Sequence, residues 1–307
     1  MQSAPDRPDE SATLAALQAL QVLDSGPEAQ FDALVEAASL LCGVPISLIS
    51  LIDSERQWFK ANIGLPGVTE TPRELAFCAH AVLGDELFEV PDATVDARFA
   101  DNPLVAGQPD IRFYAGVPLR LRSGHRVGTL CVIDRAPRTL TRVQREVLQH
   151  LGVAAAAALE GRHAMRALAG SEAKFRGLSE GSPLGVFHTD DSGACTYVND
   201  RWQSIFGLSQ TQSLGAGWVS TLHPQDRDTV ARAWQECAAA KHDFDMEFRV
   251  LRQDGALRFV HSRARPLVAG DQVVTGYVGS AEDVTERKQH EHLLRKSEAS
   301  LNRAGQL

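Results

Sequence analysis

A chain of 307 residues with a formal net charge of −8 has room for two domains of ordinary size, each able to bury a core. Its 44% apolar and 23% charged residues fit packed domains in water, and the lack of any Lys/Arg cluster argues against nucleic acid or an anionic membrane as partner. The apolar uncharged run Ala37 to Ile52 has sixteen residues interrupted at Gly43-Val44-Pro45, too short to span a bilayer, while five cysteines with no close pair fit a reducing cytoplasm.

Residues 1–12 are polar and rich in Pro and Asp, the composition of a disordered tail. Leu14, Leu17, Leu20 and Leu23 then share one helical face after Ser11, a plausible N-cap. A second helix runs from about Pro27 to Leu41. Val44 to Ile52 is a β-branched apolar strand, Asp53 to Arg56 a turn, and Gln57 to Ile63 a returning strand. Thr71 to Val82 reads as a short helix, Leu87 to Val90 as a strand and Asp92 to Gly107 as a loop. Two longer strands follow, Phe113 to Arg122 and Arg126 to Asp134.

Leu140 to Leu178 contains no proline and predicts one long helix. One row at seven-residue spacing holds Leu151, Ala158, Met165 and Glu172. Its companion holds Val147, Ala154, Gly161, Leu168 and Phe175. Such a stripe suggests two of these helices side by side in a homodimer. Beyond it, short strands at Gly185 to Thr189 and Thr196 to Asn199 precede a helix at Asp200 to Gly207 and a longer one at Pro224 to Lys241. Three strands close the unit, Asp243 to Arg252, Ala256 to Val268 and Gln272 to Glu282, with glycine-containing turns between them. The triplet Ser171-Glu172-Ala173 recurs as Ser297-Glu298-Ala299, 126 residues on, a spacing of one repeated module.

The runs SLIDSERQWFKANIGL, TPRELAFCAHA, DARFADNPLV, IRFYAGVPLR and VGTLCVID resemble a bacterial GAF domain in order and spacing. VFHTDDSGACTYVNDRWQSIFG, WVSTLHPQDRD, FRVLRQDGALRFVHSRARPL and VTGYVGSAEDVTERK resemble a PAS domain with its PAC segment. The resemblance implies an α+β fold: two antiparallel-sheet sensor domains, GAF over residues 13–162 and PAS over 181–284. A linker helix over 163–180 would join them. Residues 285–307 would be a C-terminal signalling helix leading to a further PAS or output domain in the same chain. It also implies a ligand-sized pocket in front of each sheet.

Candidate pocket residues in the first half are Trp58, Phe77, Cys78, His80, Phe113, Tyr114 and Cys131. In the second they are Phe187, Trp202, Phe206, Trp218, Phe248 and Tyr277, aromatics that also suit a plain core. Cys78-Ala79-His80 departs from the Cys-His neighbours of a bilin-attaching GAF domain, and one such pair is too few for a metal site. Asn199-Asp200-Arg201-Trp202-Gln203 lacks the reactive cysteine of a flavin photosensor. His188, His223 and His261 are axial haem candidates by number only. No cofactor, metal or catalytic residue is therefore required.

The expected function is sensory: an unknown small molecule binds one pocket and the helices relay the change to an output domain. That output is expected to be a histidine kinase of a two-component system. A diguanylate cyclase, a GAF-type methionine sulfoxide reductase using Cys78 and Cys131, and a non-binding dimerisation scaffold are the alternatives.

Overall fold

The computed structural model describes residues 2–270 and 273–304, with side chains as far as 296. Two compact units divide between Gly170 and Ser171.

The first unit opens with α1 (Glu10–Ala19) and α2 (Ala29–Cys42). Helix α2 stops at Gly43, which takes the left-handed conformation at φ 61°, a geometry glycine adopts without strain. Strands β1 (Ile46–Ile52), β2 (Arg56–Ile63) and β3 (Glu70–Pro72) follow, then a 3-10 turn at Arg73–Leu75 and α3 (Phe77–Ala81). Next come β4 (Phe88–Val90), α4 (Pro103–Ala106), β5 (Phe113–Arg120), β6 (Arg126–Asp134) and α5 (Arg142–Glu180). The strands form one antiparallel sheet in the order β3-β2-β1-β6-β5-β4.

Both faces of this sheet are covered, so all seven residues of β1 are buried. Alternation sorts the strand residues between two cores. Ile49, Leu51, Val117, Leu130 and Val132 face α2 and α5; Leu48, Phe59, Tyr114, Cys131 and Ile133 face the other way, toward α3. A bulge opposite Ile49/Ser50 reverses the parity of β2, placing Lys60 on the helix side. There the Lys60 ammonium donates to Ser25 Oγ (3.0 Å), the Gly26 carbonyl (2.8 Å) and Glu28 Oε1 (2.7 Å). All three donors of a fully buried ammonium are thereby satisfied.

Helix α5 buries Leu148, Gly152, Ala155, Leu159 and Arg162 in the first unit, a 4-3-4-3 spacing that keeps one face on the sheet. Gly152 is required because a Cβ there would come within 2.7 Å of Val117. Arg162 ends this contact, donating to Glu28 Oε1 (2.6 Å) and the Gln21 carbonyl (2.9 Å). The stripe expected to pair with a second copy is therefore divided. Leu151 and Ala158 pack partly on their own domain, whereas Met165 and Leu168 are 74% and 63% exposed. The helix runs through Gly161 and Gly170 without interruption.

Three sequence expectations need correction. The tail ends earlier than residue 12, because Arg7 is buried, ion-paired to Glu10 and bonded to the Arg126 carbonyl (2.8 Å). Helix α1 begins at Glu10, with Asp9 and not Ser11 at its N-cap. The segment from Thr71 is not one helix: Glu70–Pro72 pairs with β2, and only Phe77–Ala81 is α-helical.

The second unit contains β7 (Gly185–Asp190), β8 (Cys195–Val198), α6 (Asp200–Phe206), α7 (Gln210–Ser213), a 3-10 turn at Gly217–Thr221 and α8 (Arg227–Ala240). Strands β9 (Phe244–Leu251), β10 (Leu257–Val268) and β11 (Val274–Asp283) complete it before α9 (Thr285–Ala304). Its sheet is antiparallel in the order β8-β7-β11-β10-β9. Buried Asn199 caps α6 by accepting from Trp202 N (2.9 Å) while its amide donates to the Ser179 carbonyl (2.6 Å), so the last turn of α5 is tied into this fold. Thr285 starts α9: it donates to Asp283 and accepts from Phe259 N (2.9 Å). Asp271 of the expected Ala269-Gly270-Asp271 turn lies outside the described residues, and the repeat at Ser297-Glu298-Ala299 lies outside the described side chains.

Candidate functional site

The side of the first sheet away from α5 leaves a cavity of about 350 Å³, at the lower end of the range for small-molecule sites. Its walls are mainly apolar, with Leu48, Phe59, Phe77, Ile111, Tyr114 and Ile133 among them. Phe77 is held from behind by a parallel stack on Phe99, ring centres 4.0 Å apart. The rim is the loop from Gly64 to Val68. Asn62 clamps that loop, its amide donating to the carbonyls of Leu65 (2.7 Å) and Val68 (2.8 Å). Exposed Arg135 brings positive charge to the mouth.

Two polar atoms break the apolar wall. Gln57 Oε1 and Thr71 Oγ1 are both buried without a hydrogen-bond partner, and the two residues face each other across the β2–β3 pair. An unpartnered buried acceptor costs about 1–3 kcal/mol. Their adjacency makes a single polar spot that a ligand's N–H or O–H would satisfy.

On the floor, Cys78 Sγ accepts from Ser50 Oγ (3.1 Å) and the Tyr114 hydroxyl (3.2 Å), with Cys131 Sγ 3.9 Å away. Ser50 and Thr129 are linked at 3.1 Å. Burial pushes the Cys78 thiol up, but the neighbouring Cys131 thiol and the hydroxyls of Ser50, Thr129 and Tyr114 outweigh it and hold Cys78 below its ordinary value.

Of the candidates in the first half, Phe77, Cys78 and Tyr114 line the cavity. Trp58 and Phe113 do not, because alternation turns them into the core beneath α2 and α5. Cys131 sits behind Cys78 without lining the cavity. His80 points aside, packed edge-on to Phe99 at 4.9 Å and bonded to the Gln2 carbonyl at 3.1 Å. Gln57 and Thr71 were missed; Gln57 offers only a polar residue just ahead of the apolar pair Trp58-Phe59, and Thr71, between Glu70 and Pro72, carries no such signal.

The second unit is different. Phe187, Trp202, Phe206, Trp218 and Phe248 do surround its centre, but they fill it, leaving about 40 Å³, room for roughly one or two waters. Tyr277 lies off this space, its hydroxyl donating to the Cys237 carbonyl (3.2 Å). Trp234, missed from sequence, occupies the middle and donates to the Gly193 carbonyl (2.9 Å). Among the described residues no three His, Cys, Asp or Glu side chains converge as a metal site, and no helix is long and apolar enough to cross a membrane.

Comparison with known proteins agrees with this division. Residues 26–159 match the GAF domain family and residues 196–281 the PAS fold family. A cyclic di-GMP phosphodiesterase of Pseudomonas aeruginosa is 49% identical over 138 residues, 45% of this chain and 23% of that protein. The C4-dicarboxylate transport sensor protein DctS of Rhodobacter capsulatus is 30% identical over 136 residues, 43% of this chain and 20% of that one. The chain thus spans less than a quarter of either relative. The Escherichia coli DhaR(N)–DhaL complex contains a chain of the same fold, with TM-score 0.52 and 13% identity over 92% of this chain and 93% of that one. The protein carries a GAF domain followed by a PAS domain, joined by α5, and is a sensory region of the signal-transduction type.

Proposed function

We propose that this GAF–PAS chain is the input region of a bacterial sensor histidine kinase, and that its signal is a small molecule bound in the GAF cavity. The observation that carries the reading is the contrast between a cavity of about 350 Å³ with an orphaned polar spot and a PAS centre with about 40 Å³. The ligand's chemistry follows from the walls: a compact apolar body, an N–H or O–H donor for Gln57 and Thr71, and tolerance of negative charge near Arg135. Cyclic di-GMP turnover is the second reading for the output, favoured by the relative from Pseudomonas aeruginosa.

Transmission uses the sheet itself. Tyr114 and Ile133 line the cavity from β5 and β6, while Val117 and Val132 of the same strands meet α5 on the opposite face. A ligand that favours one sheet geometry shifts α5 between two positions, and a coupling of about 1–3 kcal/mol suffices. Two copies pairing along the exposed Met165–Leu168 side would convert that shift into a change of helix crossing, the form of input a kinase dimer can use. The protein acts in the cytoplasm.

Val68→Trp tests the reading, since a rim residue 39% exposed can block the mouth without entering the core. Mass spectrometry of small molecules released from denatured protein should show a compound in the wild type that is absent from Val68→Trp. Retention by the variant, or release of nothing from wild type purified from its own cells, counts against a GAF ligand.

A further inference from the structure

Ligand binding does not account for the floor of the cavity. Sulfur is a weak hydrogen-bond acceptor, yet Ser50 and Tyr114 both aim hydroxyls at Cys78 Sγ, an arrangement that suits a thiolate. The other cysteines are set differently. Cys195 and Cys237 donate to the carbonyls of Tyr197 (3.7 Å) and His242 (2.8 Å), and burial raises the thiols of Cys42, Cys195 and Cys237. Cys78 is also the one of the five that lines the cavity; it is 1% exposed, so a small reagent reaches its sulfur through a local shift of the floor and not through global unfolding. Cys131 waits behind it on β6, the strand that leads into α5.

We infer that Cys78 and Cys131 form an oxidant-reactive dithiol whose substrate is a small hydroperoxide entering through the GAF cavity. The Cys78 thiolate attacks the terminal peroxide oxygen, the O–O bond breaks, and the leaving alkoxide or hydroxide takes up the proton lost by the thiol. Cys78 is left as a sulfenic acid, having given two electrons to the peroxide. Cys131 sulfur then attacks the sulfenic sulfur; the S–O bond breaks, an S–S bond forms, and water leaves with the Cys131 proton. The sulfurs must close from 3.9 Å to about 2.05 Å. Cys78 rides on a helix of only five residues preceded by a 3-10 turn, the element freer to move. This site does not depend on the ligand proposed above.

The experiment treats the full chain with hydrogen peroxide, quenches in acid, denatures, alkylates free thiols and maps peptides by mass. The expected product is a Cys78–Cys131 disulfide, reversed by dithiothreitol, with Cys42, Cys195 and Cys237 still alkylated. Loss of free Cys78 should be about tenfold or more faster than loss of Cys42. In Cys131→Ser the sulfenic acid should persist and be trapped by dimedone. Oxidation of all five at similar rates, a cross-link to another cysteine, or wild-type Cys78 passing to sulfinic acid without a disulfide would each overturn the proposal.

Discussion

Glu28→Gln removes one charge from a site that holds two buried cations. Its carboxylate accepts from Lys60 at 2.7 Å and Arg162 at 2.6 Å, and the two cationic side chains are 0% and 4% exposed. Two charge-assisted hydrogen bonds are worth about 1.5–3 kcal/mol each. The glutamine retains an acceptor, and the native carboxylate is 29% exposed, so solvent already screens part of the interaction. A net loss of about 2–3 kcal/mol remains. Hydrogen exchange of the full chain under mild denaturant, followed by mass, should show that loss in GAF peptides and in α5 around Arg162. Exchange in the PAS unit should be unchanged. The pH dependence has a defined sign. Burial raises the Glu28 carboxyl, but Lys60 and Arg162 outweigh it and hold it below its ordinary 4.5. The contribution is therefore complete above that value and disappears as pH falls through the lowered one. The difference between wild type and Glu28→Gln should shrink below pH 4.5. A variant within about 0.5 kcal/mol of wild type at neutral pH would show that the cluster does not anchor the helix.

Gln57→Leu replaces an unsatisfied polar atom with an apolar group, so the unfolding free energy should hold or rise, by about 0–1 kcal/mol, while the compound released from denatured protein disappears. Trp234→Phe loses the bond to the Gly193 carbonyl at 2.9 Å and part of the contact with Phe244 and Tyr277. Denaturant unfolding of the PAS unit should fall by about 2–3 kcal/mol, with the GAF unit unaffected. Lys288 and then Arg287 hold the Glu247 carboxyl down to about 2. Glu247→Gln should speed amide exchange in the first turn of α9 near neutral pH. The cost is only about 0–1 kcal/mol, because all three side chains are a third or more exposed, and the effect should fade as pH drops toward 2 or salt rises.

Most elements were legible because their signals are local. The Val44–Ile52 run, the glycine-containing turns and the proline-free stretch after Pro137 each place a strand, a hairpin or a helix within two or three residues of where it lies. The facing of strand residues was not legible. In a half-exposed sheet alternation separates inside from outside, but here both faces are buried and Trp58 and Phe59 are equally apolar. Choosing Trp58 for the cavity was a choice of parity with nothing in sequence to decide it, and naming both Phe113 and Tyr114, neighbours on opposite faces, made no such choice. The bulge at Lys60 added a reversal that appears only in the pairing with β1. The PAS aromatics other than Tyr277 lie around one centre, but whether rings surround a space or occupy it depends on packing, and Trp234 decides it.

Because strands β5 and β6 carry the cavity wall on one surface and the seat of α5 on the other, a single sheet is all that separates the cavity from that helix. No chain of intermediaries is needed. On the proposed reading, a ligand and the helix would press on opposite sides of that one wall.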